Sequence, residues 1–169
     1  MGTSPTVRHA ENDDLKELLE LYQHLHPGEP SPIVNAQLKD LWGQMLADQN
    51  MHILVAVADA GLVASCVLIV IQNLTRGPRP YGLIENVVTR ASHRRRGYGR
   101  GVVEEALAIA WQNNCYKVML MTGSNRGTLQ FYGRCGFVQG VKTGLVAVAV
   151  AVSALGYPPG EETRLCLGG

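Results

Sequence analysis

A mixed α/β domain built on a central sheet is the fold class this sequence predicts, and three observations predict it. Short Val- and Ile-rich runs bounded by turn residues read as strands, chiefly His52 to Ala58, Leu62 to Ile71 and Tyr81 to Thr89. Apolar residues at helical spacing read as amphipathic helices, as in Leu15, Leu18, Leu19, Tyr22 and Leu25. The two kinds of segment are interleaved in the order βααβββαβαβ, which a layered α/β fold with a mixed sheet accommodates. At 169 residues the chain reads as one domain, 1–169, with 145–169 set apart by its composition. A chain of this size buries ~70% of its unfolded surface in one core.

Taken in order, Thr6 to His9 reads as the first strand, and Asn12 or Asp13 as a cap for the helix that follows. That helix stops at His26-Pro27-Gly28, and the three prolines between Pro27 and Pro32 keep the next stretch a loop. Ser31 and Pro32 fit the cap and first position of a second helix carrying Ile33, Leu38, Leu41, Trp42 and Met45. The period then changes, and Asp59-Ala60-Gly61 turns one strand back on the next as a hairpin. A third strand, Tyr81 to Thr89, leads through an arginine-rich loop into a helix from about Gly97 to Trp111, with Val103, Ala106, Leu107, Ala110 and Trp111 on its apolar face. Lys117 to Met121 reads as a strand, Asn125 to Arg134 as a short helix, and Phe137 to Val141 as the start of a further strand.

Charge and composition narrow the function classes. With 15 Lys and Arg against 14 Asp and Glu, the balance is close to neutral, whereas a nucleic-acid-binding domain is expected to be strongly basic. No apolar run reaches the ~18 residues of a membrane-spanning helix, and Met1 to Pro5 has no signal-peptide pattern, so a cytoplasmic location and no membrane partner are expected. Cys66, Cys115, Cys135 and Cys166 are widely spaced without a C-x-x-C pair, which gives neither a zinc site nor a disulfide framework. No metal is expected.

The basic residues that do cluster lie in Val87 to Val103, VVTRASHRRRGYGRGVV. A strand ends near Thr89, and Arg90, Arg94, Arg95 and Arg96 crowd a loop before Gly97 and Gly99 open a helix. The first N–H groups of a helix lack intrahelical partners and carry partial positive charge, so a glycine-opened helix start behind arginines makes a site for phosphate or pyrophosphate. Two known phosphate-binding patterns fit poorly: Val102 stands where a dinucleotide fingerprint needs its third glycine, and no Gly-Lys-Ser/Thr follows.

The segment Arg94-Arg95-Arg96-Gly97-Tyr98-Gly99, after the strand Glu85-Asn86-Val87-Val88-Thr89, resembles the R-x-x-G-x-G acyl-CoA loop of the GNAT superfamily of N-acetyltransferases. A second block, Asn125 through Phe131-Tyr132 to Gly136-Phe137, is similar to the superfamily's other signature, and the element order is the one that superfamily shows. The resemblance implies transfer of an acetyl group from acetyl-CoA, leaving CoA, to a primary amine, with a small-molecule amine as the expected partner. It implies that main-chain groups of Val87, Val88 and Thr89 pair with the pantetheine arm, and that Arg94, Arg95, Arg96, Gly97, Tyr98, Gly99 and Arg100 surround the pyrophosphate. Asn125, a good helix cap by chemistry, is placed near the cofactor, and Tyr132 at the departing sulfur. Glu85 is the candidate base, with substrate positioning as its alternative role.

Within the superfamily, Ile84-Glu85-Asn86-Val87-Val88 looks most like the corresponding strand of glucosamine-phosphate acetyltransferases, which carry an acidic residue where Asn86 stands. Protein amines, or a non-catalytic acyl-CoA-binding role, are the alternatives. The C-terminal part departs from the superfamily: Leu145 to Leu155 alternates valine and alanine, a pattern for a strand with one branched and one small face, and alanine content leaves a helix open. As an uncharged edge strand it would pair with another chain, and a homodimer through this run is expected.

Overall fold

Five strands, β1 (Thr6–His9), β2 (Met51–Ala58), β3 (Gly61–Ile71), β4 (Tyr81–Thr89) and β5 (Val118–Leu120), lie in that spatial order in one sheet of the computed structural model. The model describes residues 6–58, 61–123 and 125–147. By its contacts the chain divides into two compact units, Met1–Val138 and Gln139–Gly169, and the sheet belongs to the first. Neighbouring strands run antiparallel from β1 to β4, and β4 pairs with β5 in parallel. A parallel pair needs a crossover, which the helix α3 (Tyr98–Gln112) supplies.

The sheet is covered on both faces, which explains why the central strand β3, GLVASCVLIVI, is apolar almost throughout rather than alternating. On one face Val102, Ala106, Ile109 and Ala110 of α3 pack against Leu54, Cys66, Leu68 and Ile84. On the other, Leu15, Leu18 and Leu21 of α1 (Leu15–Tyr22) and Trp42 of α2 (Ala36–Ala47) pack against Ile53, Val55, Val67 and Val88. Three polar contacts hold this second layer in place: the Leu62 amide donates to Glu17 Oε2 at 2.8 Å, Trp42 Nε1 donates to the Asn12 carbonyl at 3.1 Å, and Arg8 grips both oxygens of Asp14 at 2.6 and 2.9 Å. The Arg8 guanidinium holds the Asp14 carboxyl below its ordinary pKa.

Several boundaries differ from the sequence reading, each for a local reason. The first helix is preceded by a 3-10 turn at Asn12–Asp14 whose N-cap is Glu11, and Asp14 Oδ2 accepts from the Glu11 amide at 2.7 Å, so neither Asn12 nor Asp13 is the cap. The second helix starts at Ala36 because the Asn35 side chain accepts from the Leu38 amide at 2.9 Å, and Ile33, outside the helix, is 83% exposed. In α3 the buried stripe is Val102, Val103, Ala106, Ile109 and Ala110, and Trp111, one residue past it, faces outward at 52% exposure. The strand expected at Phe137 to Val141 does not form: Phe137 and Val138 are irregular, and Gln139-Gly140 make a turn in which Gly140 has φ +78°. Leu145–Ala147 carry no regular secondary structure, and the remainder of the Leu145 to Leu155 run lies outside the described residues.

A histidine pair at the β1–β2 end gives the fold a measurable acid sensitivity. His9 Nε2 and His52 Nδ1 stand 3.1 Å apart, and His52 Nε2 is buried without a partner among the described residues. Burial first, and His9 second, hold the His52 pKa below 6.5. The folded state therefore binds its proton less readily than the unfolded chain; the stability this contributes is complete above pH 6.5 and is lost as pH falls through the lower folded value. Thermal melts should show Tm dropping below pH 6.5 in the wild type and a flatter profile in His52→Gln. The Asp14 contribution begins to fade only below 3.8, so the two are separable, and parallel profiles for the two proteins would refute the assignment.

Candidate active site

The site is built around an irregularity in β4. Val67 pairs with Glu85 and Ser65 with Val88, so one residue of β3, Cys66, stands opposite two of β4, Asn86 and Val87. This is a β-bulge, and it needs a residue that tolerates the left-handed region: Asn86 sits at φ +53°, where asparagine is several-fold enriched. The extra residue resets the alternation of faces. Val87 packs with the α3 side of the sheet and Val88 with the α1 side. Glu85, paired with Val67 of the α1-side cluster, shares that face.

The same region opens the sheet. Strand β5 pairs with β4 only at Gly82, Leu83 and Ile84, so the β5-facing edge of β4 from Glu85 to Thr89 has no register partner among the described residues. The N–H and C=O groups there are placed to receive an extended ligand as an added strand. Asn86 and Val87, which the bulge leaves without register partners on β3, lie at the start of this edge.

The helix start lies directly beyond the strand end. Gly97 is the N-cap of α3 in the left-handed conformation, φ +91°, and a side chain built on it would meet open space. Gly99 has a different duty: its Cβ would come within 2.6 Å of Thr89 Oγ1 and 3.7 Å of Phe131 Cζ, so its missing side chain lets the first turn of α3 press against the end of β4 and against α4 (Arg126–Arg134). Arg94, Arg95 and Arg96 are exposed. Arg94 Nε donates to the Thr89 carbonyl at 3.3 Å, and Arg95 takes a positive φ of 61°. Arg100 pairs along the helix with Glu104 at 2.7 Å, both side chains being exposed. Arg90 donates from Nε to the Leu62 carbonyl at 3.3 Å. Tyr98 stacks edge-on against His93 with ring centroids 5.9 Å apart.

On α4, Asn125 serves as N-cap, its Oδ1 accepting from both the amide and the hydroxyl of Thr128 at 2.9 Å. Tyr132 is held between Phe131 and Phe137, centroids 5.0 and 5.9 Å away. Burial, the first cause, with the charges of Cys135, Cys66 and Glu85, pushes its phenol up to about 12, so it stays protonated and acts as a donor.

Two further side chains sit at the bulge that sequence reasoning assigned only to packing or passed over. Tyr22, at the end of α1, has its hydroxyl beside the side chains of Ser65 and Asn86, and burial raises its pKa to about 12. Ser65 is completely buried, and its Oγ has no hydrogen bond of good geometry among the described residues. A lone serine inside an eleven-residue apolar strand was the available signal.

The model for the acetyltransferase (GNAT) family matches residues 15–137. A glucosamine 6-phosphate N-acetyltransferase from Trypanosoma brucei brucei is 32% identical over 132 residues, which cover 78% of this chain and 87% of that one. Among solved structures, a putative acetyltransferase from Agrobacterium tumefaciens str. C58 is similar with a TM-score of 0.80 and 44% identity, covering 85% of this chain and 99% of the other. The glucosamine-6-phosphate N-acetyltransferase of Arabidopsis thaliana gives 0.75 at 21% identity over 86% and 98% of the two chains, a likeness of fold.

The Thr89–Gly99 approach yields a stability prediction. Gly99→Ala should gain helix propensity yet lose stability by roughly 1–3 kcal/mol, because overpacking outweighs it. Thr89→Ala removes the atom that is struck, so the double variant should be more stable than the sum of the two single changes predicts, by about 1 kcal/mol in denaturant titrations. Additive effects would mean that the contact does not limit position 99.

Proposed function

The chain belongs to the acetyltransferase (GNAT) family, whose enzymes use acetyl-CoA as cosubstrate, and from that premise we propose that it acetylates the primary amine of a small molecule at the β4 bulge. The observation that carries this reading is the coincidence, within one continuous segment, of an unpaired strand edge, a bulge and a glycine-opened helix start behind exposed arginines. The residues present fit acetyl-CoA. The edge of Val87, Val88 and Thr89 takes the pantetheine arm, and the amides from Arg95 onward, with Arg94, Arg95 and Arg96, take the pyrophosphate. Gly97 gives the phosphates access to the backbone, and Gly99 keeps the helix start at the strand end. When bound, acetyl-CoA supplies a thioester whose carbonyl carbon is the electrophile for the amine.

The protein's own groups then have defined duties. An alkylamine with pKa ~10.4 costs about 4.6 kcal/mol to deprotonate at neutral pH. Glu85 carries the carboxylate that takes that proton, directly or through water, on the face of the sheet covered by α1. The Val87 amide, at the bulge, donates to the oxygen on which negative charge develops. Tyr132 donates to the leaving sulfur. With its phenol at about 12 against ~8.5 for a thiol, full proton transfer is unfavourable, and the hydrogen bond itself is the larger part of its role.

The acceptor we favour is an amino sugar phosphate, since the Trypanosoma brucei brucei relative is named for glucosamine 6-phosphate. A homodimer through the Leu145 to Leu155 run is supported by Leu145 and Val146, exposed at 91% and 61%. No helix of the described residues is long and apolar enough to cross a membrane.

Two measurements test these assignments. Tyr132→Phe should retain CoA affinity by calorimetry while turnover at saturating substrates falls by roughly 10²-fold, the usual scale for one positioned proton donor; unchanged turnover would make Tyr132 a packing residue. Light scattering of the wild type at micromolar concentration should return twice the chain mass, and a monomer would end the dimer proposal.

A further inference from the structure

Arg90 has no duty in the mechanism, yet its hydrogen bonds make it the pivot between β4 and the arginine loop. Its amide donates to the Val63 carbonyl at 2.8 Å, one step past the last register pair of β3 and β4, Ala64 with Thr89. Its carbonyl accepts from the His93 amide at 2.8 Å, and Arg90 is the N-cap of the 3-10 turn Ala91–His93 that leads to Arg94. Its side chain turns back onto the sheet, where Nε donates to the Leu62 carbonyl at 3.3 Å.

Leu62 is a firm anchor. Its side chain is 2% exposed within the α1-side cluster, and its amide donates to Glu17 Oε2 of α1 at 2.8 Å. The carboxylate lies against the start of β3, since a Cβ on Gly61 would stand 3.4 Å from the same oxygen. Both main-chain groups of one buried residue are thus bonded to ionic side chains, and bonds assisted by charge are the stronger kind. Farther along, Arg94 is tied within its own segment, its amide and Nε reaching the Ala91 and Thr89 carbonyls at 3.4 and 3.3 Å. Arg94, Arg95, Arg96 and Gly97 are exposed.

We propose that Arg90 is a positioning residue for the cofactor: bonded to Leu62, it sets the angle at which the loop leaves β4 and so holds Arg94, Arg95, Arg96 and the first α3 amides at the pyrophosphate, without touching a phosphate itself. This rests on the acetyl-CoA reading. The start of α3 is fixed by the packing of Gly99 on Thr89, but the loop that bears the arginines sets out from Arg90. Released from Leu62, that loop must be ordered as the cofactor binds, and a ligand that orders its own site binds more weakly than one received by a site already set. The Leu62 carbonyl would also lose its side-chain donor in a part-buried place.

Two substitutions separate positioning from direct contact. Counting bonds from the backbone, Gln Nε2 falls where Arg Nε stands, so Arg90→Gln keeps the bond to Leu62 and removes the charge, whereas Arg90→Met puts a methyl group there. By calorimetry, CoA should bind at least about tenfold more weakly to Arg90→Met and within about threefold of the wild type to Arg90→Gln. Pantetheine, which lacks the phosphates, should bind all three proteins alike in NMR titrations. Equal CoA affinity in Arg90→Met overturns the proposal. Equal losses in both variants would make Arg90 a phosphate ligand and overturn it too, and a loss for pantetheine as large as that for CoA does the same, as the mark of a disturbed fold. A further readout needs no ligand: in the unliganded protein the His93 amide should exchange with solvent at least about tenfold faster in Arg90→Met than in the wild type and Arg90→Gln. If that exchange responds while the wild type binds no CoA, the cofactor reading fails and the anchor stands. If the wild type binds CoA while neither affinity nor exchange responds to Arg90→Met, the positioning role is overturned and the cofactor reading survives.

Discussion

One extra residue in β4 is the constraint on which the rest of the site depends. Placing Asn86 and Val87 opposite Cys66 alone allows a single strand to serve two opposed surfaces. With regular alternation, Glu85 and Val87 would share a face; the bulge instead puts Glu85 and Val88 on the α1 side and Val87 on the α3 side. Glu85 and Val88 thus lie on one side of a strand whose β5-facing edge has no register partner among the described residues from Glu85 to Thr89. The bulge costs ladder pairing and a positive φ, and asparagine is the non-glycine residue for which the latter is least unfavourable. A position chosen for its backbone conformation thereby presents a polar side chain at the reacting end of the site.

The second constraint is the distance between the strand end and the helix start. A phosphate site at α3 is useful only if it stands at a fixed span from the bulge, and Gly99 beneath Thr89 sets that span by letting the two elements touch. Gly97 has the complementary task of turning the chain with φ +91° and leaving the first amides uncovered. The two glycines read alike in sequence, yet one shapes the loop and the other the packing. The arginines divide in the same way: Arg94 ties back to the Thr89 carbonyl and Arg100 is held by Glu104, while Arg95 and Arg96 extend into solvent.

How much was legible follows from which interactions are local. β4 was readable to the residue, because Pro80 and the arginine loop bracket a run that needs no tertiary context. The helix α3 was readable from its glycines, but its buried stripe was not: Val102 and Ile109 were passed over in favour of Trp111, since several apolar sets fit a helical period and only the sheet decides among them. The start of α2 was missed because Ser31-Pro32 and Asn35 offer competing caps, and the hydrogen bond to the Leu38 amide favours the second. The strand read at Phe137 to Val141 is opposed by local backbone chemistry, with Gly136 and Gly140 both at positive φ. The bulge was invisible, because register is a property of two strands and the sequence displays one.

Tyr22 shows the limit most sharply. In a helix patterned Leu15, Leu18, Tyr22, a tyrosine is indistinguishable from any other packed aromatic, and only the fold shows its hydroxyl arriving at Ser65 and Asn86. Ser65 was detectable in principle, since a hydroxyl inside an apolar strand must be satisfied or carry a cost of roughly 1–3 kcal/mol. Its Oγ is buried without a hydrogen-bond partner among the described residues. Three elements distant in sequence thus bring these side chains together, which a scan for contiguous motifs cannot detect.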